Sequence, residues 1–150
     1  MQNIKQWNNN KGGDFVDSSW YYPCNQFEDN DAASSMCYRY QANYFLSQTD
    51  YSINEAIDLC MRITDKNYIP ICLKGISAHT AKNNFDDIEK TKLMCNDFPN
   101  DYQQYCIKGA IESLTRFVDD DLAEDFCLMI DDEFEEDCIK RHQQLLDLRQ

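Results

Sequence analysis

The stretch CMRITDKNYIPICLK at residues 60–74 returns, altered, as CNDFPNDYQQYCIK at 95–108 and as CLMIDDEFEEDCIK at 127–140. In each copy an aromatic residue, Tyr68, Tyr102 or Phe134, stands four places before the second cysteine, and an apolar residue and a base follow that cysteine. Ile63, Phe98 and Ile130 each follow the first cysteine by three places, as Phe27 follows Cys24. Spacings of three and four put side chains on one helical face, so each stretch reads as a joint between two helices.

Outward from these joints the pattern becomes a repeat. Cysteines stand at 24, 37, 60, 72, 95, 106, 127 and 138, with short gaps of 12, 11, 10 and 10 residues alternating with long ones of 22, 22 and 20. Between second cysteines the period is 35, 34 and 32 residues. Ile53, Ile88 and Leu122 each fall sixteen residues beyond a second cysteine. Gly75 and Gly109 each lie three beyond one; because glycine inside a helix costs about 1 kcal/mol relative to alanine, that placement points to a close helix–helix crossing.

The expected fold is all-α: a short, right-handed-solenoid-like array of about four antiparallel helical hairpins, at 21–47, 52–82, 86–116 and 119–150, with cysteine-paired joints. Within each, one helix runs from just before the second cysteine to Ser47, Lys82 or Arg116, and Ser52, Asp86 or Asp119 caps the next. Pro70 and Pro99 fall where helices begin and end. Residues 1–20, with Asn8–Asn10 and the pair Gly12–Gly13, read as a flexible leader to a single domain at 21–150. Trp20, Tyr21 and Tyr22 would cover the apolar end of the array.

In such a hairpin, packed axes about 8–10 Å apart leave facing Cα atoms about 4–5.5 Å from each other, within the span of a disulfide. Pairing across the short gaps, Cys24–Cys37, Cys60–Cys72, Cys95–Cys106 and Cys127–Cys138, uses every cysteine. Pairing across the long gaps strands Cys24 and Cys138, and a third reading keeps all eight reduced as small core residues. No C-x-x-C occurs, and His79 and His142 occupy unrelated repeat positions, so no metal site is expected.

Composition narrows the function. Hydrophobic content of 43%, with nine Tyr and eight Phe, is enough for a core and argues against disorder. A net charge of −13 repels nucleic acid and anionic lipid surfaces alike. No run approaches the roughly 18 apolar residues of a membrane span. The start, MQNIKQWNNNKGG, has no apolar signal region, and a mature or truncated form would lack one too. An even number of cysteines favours an oxidising, extracytoplasmic compartment, periplasmic or secreted.

No phosphate loop, zinc-protease helix, nucleophile elbow or EF-hand is present, so no catalytic residue and no cofactor is expected. Eleven acids and no base lie between Asp119 and Asp137. Of these Asp131, Asp132, Glu133, Glu135, Glu136 and Asp137 form a candidate interaction face for a basic partner, a weak calcium site, or plain solvated surface. Lys140, Arg141 and Arg149 in the last helix are expected to pair with acids of the preceding repeat, and Arg141 replaces the repeat's glycine in a capping copy.

The unit C-x10-C-[YLI]-[RK]-G followed by a hairpin resembles the cysteine-paired helical repeats of uncharacterised secreted or envelope proteins of microbes. In period it is loosely similar to tetratricopeptide and Sel1-like solenoids: Ala56 and Ala123, four before a cysteine, match a small residue of the second tetratricopeptide helix, while that motif's Trp and Tyr are missing. A further likeness, to the Cys-x9-Cys hairpins of the mitochondrial intermembrane space, offers an alternative compartment, although those hairpins carry two disulfides each. The resemblance bears on architecture only; a repeat array with no catalytic constellation points to a non-enzymatic scaffold that binds another protein. The alternatives are a structural subunit of a larger envelope or respiratory assembly, and a ligand binder or enzyme with a tyrosine-lined pocket.

Overall fold

A computed structural model describes residues 20–27 and 30–149; the expected leader at 1–20 lies, apart from Trp20, outside the described residues. Among these the fold is all-α: seven α-helices, three one-turn 3-10 helices and no strand. The helices are α1 (Asp31–Gln48), α2 (Ile53–Met61), α3 (Ile69–Asn83), α4 (Ile88–Asn96), α5 (Gln103–Phe117), α6 (Asp120–Met129) and α7 (Asp132–Asp147). The chain divides into two compact units, Met1–Cys72 and Leu73–Gln150, and the boundary falls within α3.

In the first unit α1 packs on α2 and on the 3-10 turns Cys24–Gln26 and Lys66–Tyr68. Asn30 starts α1 by accepting a hydrogen bond from the Ala33 amide at 3.0 Å. The inner face of α1 carries Tyr38, Gln41, Ala42, Phe45 and Leu46, all buried. Tyr68 shows what the aromatic before the second cysteine does. Its ring stacks on Tyr38 with centroids 5.0 Å apart, and its hydroxyl donates to Asp31 at 3.1 Å, fixing the entry to α3 onto α1. Tyr21 packs edge-on against Phe45 and donates to the Leu59 carbonyl, while the Gln41 amide donates to the Trp20 carbonyl. Of the aromatic trio, Trp20 and Tyr21 thus lie against α1. Burial raises the Tyr21 pKa, against the pull of the nearby Arg62 charge.

The first expected hairpin, 21–47, is only half present: before α1 stands one 3-10 turn, Cys24–Gln26, in place of a helix. Phe27 is accordingly 39% exposed, whereas its counterparts Ile63, Phe98 and Ile130 are buried.

In the second unit α5 is central, packing on α4, α6 and α7. The core of this unit includes Ile76, Phe98 and Phe126, and Ile111 and Leu114 of α5 are fully buried. Gly109 of α5 meets α3 backbone to backbone. A Cβ there would overlap Ser77 Oγ and the Lys74 carbonyl oxygen, and would sit 2.9 Å from Lys74 Cα. Asp119 caps α6 by accepting from the Leu122 amide at 3.1 Å. The cap of α4 is Asp87 rather than Asp86, because the turn after α3 runs one residue further before the helix begins.

Candidate functional site

The cysteines close as Cys24–Cys37, Cys60–Cys72, Cys95–Cys106 and Cys127–Cys138, with Cα separations of 5.4, 5.7, 5.4 and 5.5 Å, and none is free. Every bond spans a short gap. Three of them tie the end of one helix to the start of the next: α2 to α3, α4 to α5 and α6 to α7. Seven of the sulfur-bearing residues are buried, Cys37 being half-buried, so these bonds sit inside the packing they constrain. Replacing Cys95 and Cys106 together by alanine is expected to cost about 2 kcal/mol, the low end of what closing so short a loop contributes. Urea unfolding midpoints at constant m-value measure it.

The acids at 131–137 are gathered by the start of α7. Asp131 is its N-cap residue, and Asp132, Glu133 and Glu135 occupy its first turn. Glu135 is half-buried; the other five acids are exposed. Negative charge at a helix N-terminus meets the positive end of the dipole, worth about 0.3–1 kcal/mol per residue. Yet Asp132 and Glu136, and Glu133 and Asp137, are like charges one turn apart, which costs a few tenths of a kcal/mol per pair. The dipole accounts for the first turn and leaves Glu136 and Asp137 without a stabilising reason. Further upstream Asp119 is used as a cap, and Asp120 pairs with Arg149 at 2.8 Å. Among the described residues no group of three His, Cys, Asp or Glu is placed to hold a metal ion.

A polar cluster in the interior of the second unit escaped the reading of the sequence in part. Glu112, 3% exposed, receives Lys74 Nζ at 2.9 Å from α3 and Arg141 Nη2 at 2.8 Å from α7, both on Oε1. One helical turn further along α5, Thr115 Oγ1 lies 2.8 Å from His142 Nδ1, both residues buried. The expected ion pairs of the last helix therefore form at Arg141 and Arg149, while Lys140 is exposed. What the sequence did not disclose is that Glu112 is interior. Nine residues of α5 are buried, Cys106, Ile107 and Gly109 to Thr115, yet Lys108, Glu112 and Arg116 follow one another at four-residue steps, which in the sequence reads as an exposed charged stripe. Elsewhere in this unit His79 is half-buried, and burial, with Lys82 adding to it, pushes its pKa down. Thr91 Oγ1 is buried without a hydrogen-bond partner.

Two indentations in this unit, one beside Phe134 and Ile130 and one beside Phe134 and Arg141, hold about 10 Å3 each, room for one water molecule. No described helix is long and apolar enough to cross a membrane. Four closed disulfides fit an oxidising compartment. Compared with known proteins, the chain matches no protein-family model, no curated protein and no solved structure.

Proposed function

We propose that the chain is a non-enzymatic, disulfide-stapled helical-repeat scaffold of an extracytoplasmic compartment, periplasmic or secreted, whose exposed acids dock a protein with a basic surface. The observation that carries the reading is one closed cysteine joint per repeat, with the same aromatic and apolar residues around it. Tandem helical repeats act through extended surfaces rather than through a single pocket. The like-charge pairs on α7 favour a docking role over plain solvation, because they cost stability that a mixed surface would keep.

The compartment is tested by trapping thiols in the natural source at lysis and mapping non-reduced peptides; free thiols at these positions sink the extracytoplasmic assignment. For the docking face, replacing Asp131, Asp132, Glu133, Glu136 and Asp137 by their amides is expected to lower unfolding stability slightly, by about 0.5–1 kcal/mol, because the lost dipole contributions at the helix start exceed the repulsion relieved in two like-charge pairs. The same variant is expected to lose the salt-sensitive part of binding to cationic protein baits. Equal binding by variant and parent removes the face from consideration.

A second reading, a structural subunit of a larger assembly, is favoured by the exposed side chains of Leu93, Phe117, Leu128 and Leu148, each 54% exposed or more. Precipitation of the isolated, fully oxidised chain at moderate concentration would support that reading; indefinite solubility would count against it.

A further inference from the structure

The bond Cys24–Cys37 differs from the other three in its surroundings. The loops that the four bonds close are nearly equal, with separations of 13, 12, 11 and 11 residues, so chain entropy treats them alike. Burial does not. Cys60, Cys72, Cys95, Cys106, Cys127 and Cys138 are each at most 4% exposed, and each bond among them joins the end of one α-helix to the start of the next. A reductant reaches those sulfurs only if two helices part. Cys24 is also buried, but Cys37 on α1 is half-buried, the one member of the four bonds that keeps appreciable surface to solvent. Its partner stands not on an α-helix but on the single 3-10 turn Cys24–Gln26.

A second difference lies beside Cys24. Its Sγ is 3.4 Å from Oε1 of Gln41, a fully buried side chain. The Gln41 amide nitrogen donates to the Trp20 carbonyl, so the oxygen is the end that faces sulfur. In the closed bond both atoms are acceptors and neither supplies a proton. Once the bond is open, the Cys24 thiol can donate to Gln41 Oε1. The structure thus holds in place an acceptor that only the reduced form can use. The segment carrying Cys24 is also held without the disulfide: Tyr21 donates to the Leu59 carbonyl at 3.0 Å, and Ser34 Oγ donates to the Phe27 carbonyl at 2.8 Å. Opening therefore leaves the two sulfurs within reach of each other.

We infer that Cys24–Cys37 is a reversible, stoichiometric thiol–disulfide exchange site for a dithiol, in which Cys37 is the sulfur attacked and Cys24 the leaving thiol received by Gln41. A thiolate of the dithiol attacks Cys37 Sγ. The new S–S bond forms there as the Cys24–Cys37 bond breaks, and the electron pair leaves on Cys24, which takes up a proton and donates to Gln41. The second thiolate of the dithiol then attacks its own sulfur in the mixed disulfide and expels Cys37 as a thiolate, which is protonated in turn. Two electrons and two protons pass to the chain, and the dithiol leaves as a disulfide. The other three bonds stay closed, because buried sulfurs are inert where a partly exposed one reacts.

The test equilibrates the full, oxidised chain over a series of reduced-to-oxidised dithiothreitol ratios, quenches in acid, alkylates, and maps the labelled peptides by mass spectrometry. Label is expected on Cys24 and Cys37 together, at a ratio at least about tenfold below that which opens the next bond, with helical circular dichroism unchanged. With glutathione, a monothiol that cannot complete the second step, the trapped adduct is expected on Cys37 and the free thiol on Cys24. Gln41→Met offers only a weak acceptor and is expected to raise the half-opening ratio about threefold, the worth of one modest hydrogen bond. The sign is diagnostic. If Gln41 served only to anchor Trp20, its loss would loosen the segment and make the bond easier to open. Simultaneous opening of the four bonds, or earlier opening of another, overturns the inference. So do a glutathione adduct on Cys24 and a half-opening ratio that Gln41→Met lowers or leaves unchanged. Only the purified chain and the reagent are present, so none of these outcomes depends on the compartment or the docking face proposed above.

Discussion

Gly109→Ala is expected to destabilise the second unit by about 3 kcal/mol, although alanine is the better helix former by about 1 kcal/mol. The gain in helix propensity is overwhelmed because the new Cβ has nowhere to go: it meets the Lys74 carbonyl oxygen and Cα as well as Ser77 Oγ. A side-chain hydroxyl can rotate away, but a helix backbone can retreat only if α3 and α5 separate, and their separation loosens the buried Ile76, Ile111 and Leu114. Removing the hydroxyl therefore separates the two obstacles. In a Ser77→Ala background the cost of Gly109→Ala should remain above about 2 kcal/mol if the backbone contact dominates. A melting temperature lowered by roughly 10 °C or more is the expected readout for a domain of this size. An unchanged or raised melting temperature would show that α3 and α5 do not cross as closely as the structure places them.

Gly109 was legible in the sequence because its signal is local and repeated: a residue unfavourable in helices recurs at one distance from a cysteine. The helices themselves were legible for the same reason, since cysteine, aromatic and apolar positions keep helical spacings through three joints. Where period alone carried the expectation, it overreached. It extended a helix into residues 21–27, where the structure has a single 3-10 turn, because the short-gap spacing of Cys24 and Cys37 is equally well met by a turn. The cap at Asp87 instead of Asp86 reflects two adjacent residues of the same capping chemistry. Of the acids at 119–137, the sequence showed the charge but not its division of labour. Asp119 is spent on a cap and Asp120 on Arg149, while Asp121, Glu124, Asp125 and the stretch from Asp131 onward face solvent. The interior position of Glu112 was hidden because Lys108, Glu112 and Arg116 stand four residues apart, the pattern of an exposed charged stripe.

Glu112→Met is expected to cost about 2–3 kcal/mol, and the reason can be isolated by what restores it. The carboxylate is buried, while its two cations, Lys74 and Arg141, keep 21% and 33% of their side-chain surface exposed. Removing Glu112 therefore leaves two positive charges, previously held on one oxygen atom, facing each other at the edge of an apolar interior. Each can turn outward, so the loss falls below the about 3–5 kcal/mol of breaking a fully buried pair. Replacing the cations as well, in Lys74→Met/Glu112→Met/Arg141→Met, removes every charge of the cluster and substitutes apolar side chains of similar length. Desolvating charges offsets much of their mutual attraction, so the triple variant is expected to recover at least about 2 kcal/mol relative to the single one. Urea unfolding of the four proteins in the series, including Lys74→Met/Arg141→Met, separates the terms. If the triple variant is no more stable than Glu112→Met, the loss comes from shape rather than charge. If it recovers, the cluster holds α3, α5 and α7 in register at little net gain in stability. A buried acid answered by one cation from each flanking helix is then a device for specifying which helices meet, in a repeat whose cysteines alone do not distinguish one copy from the next.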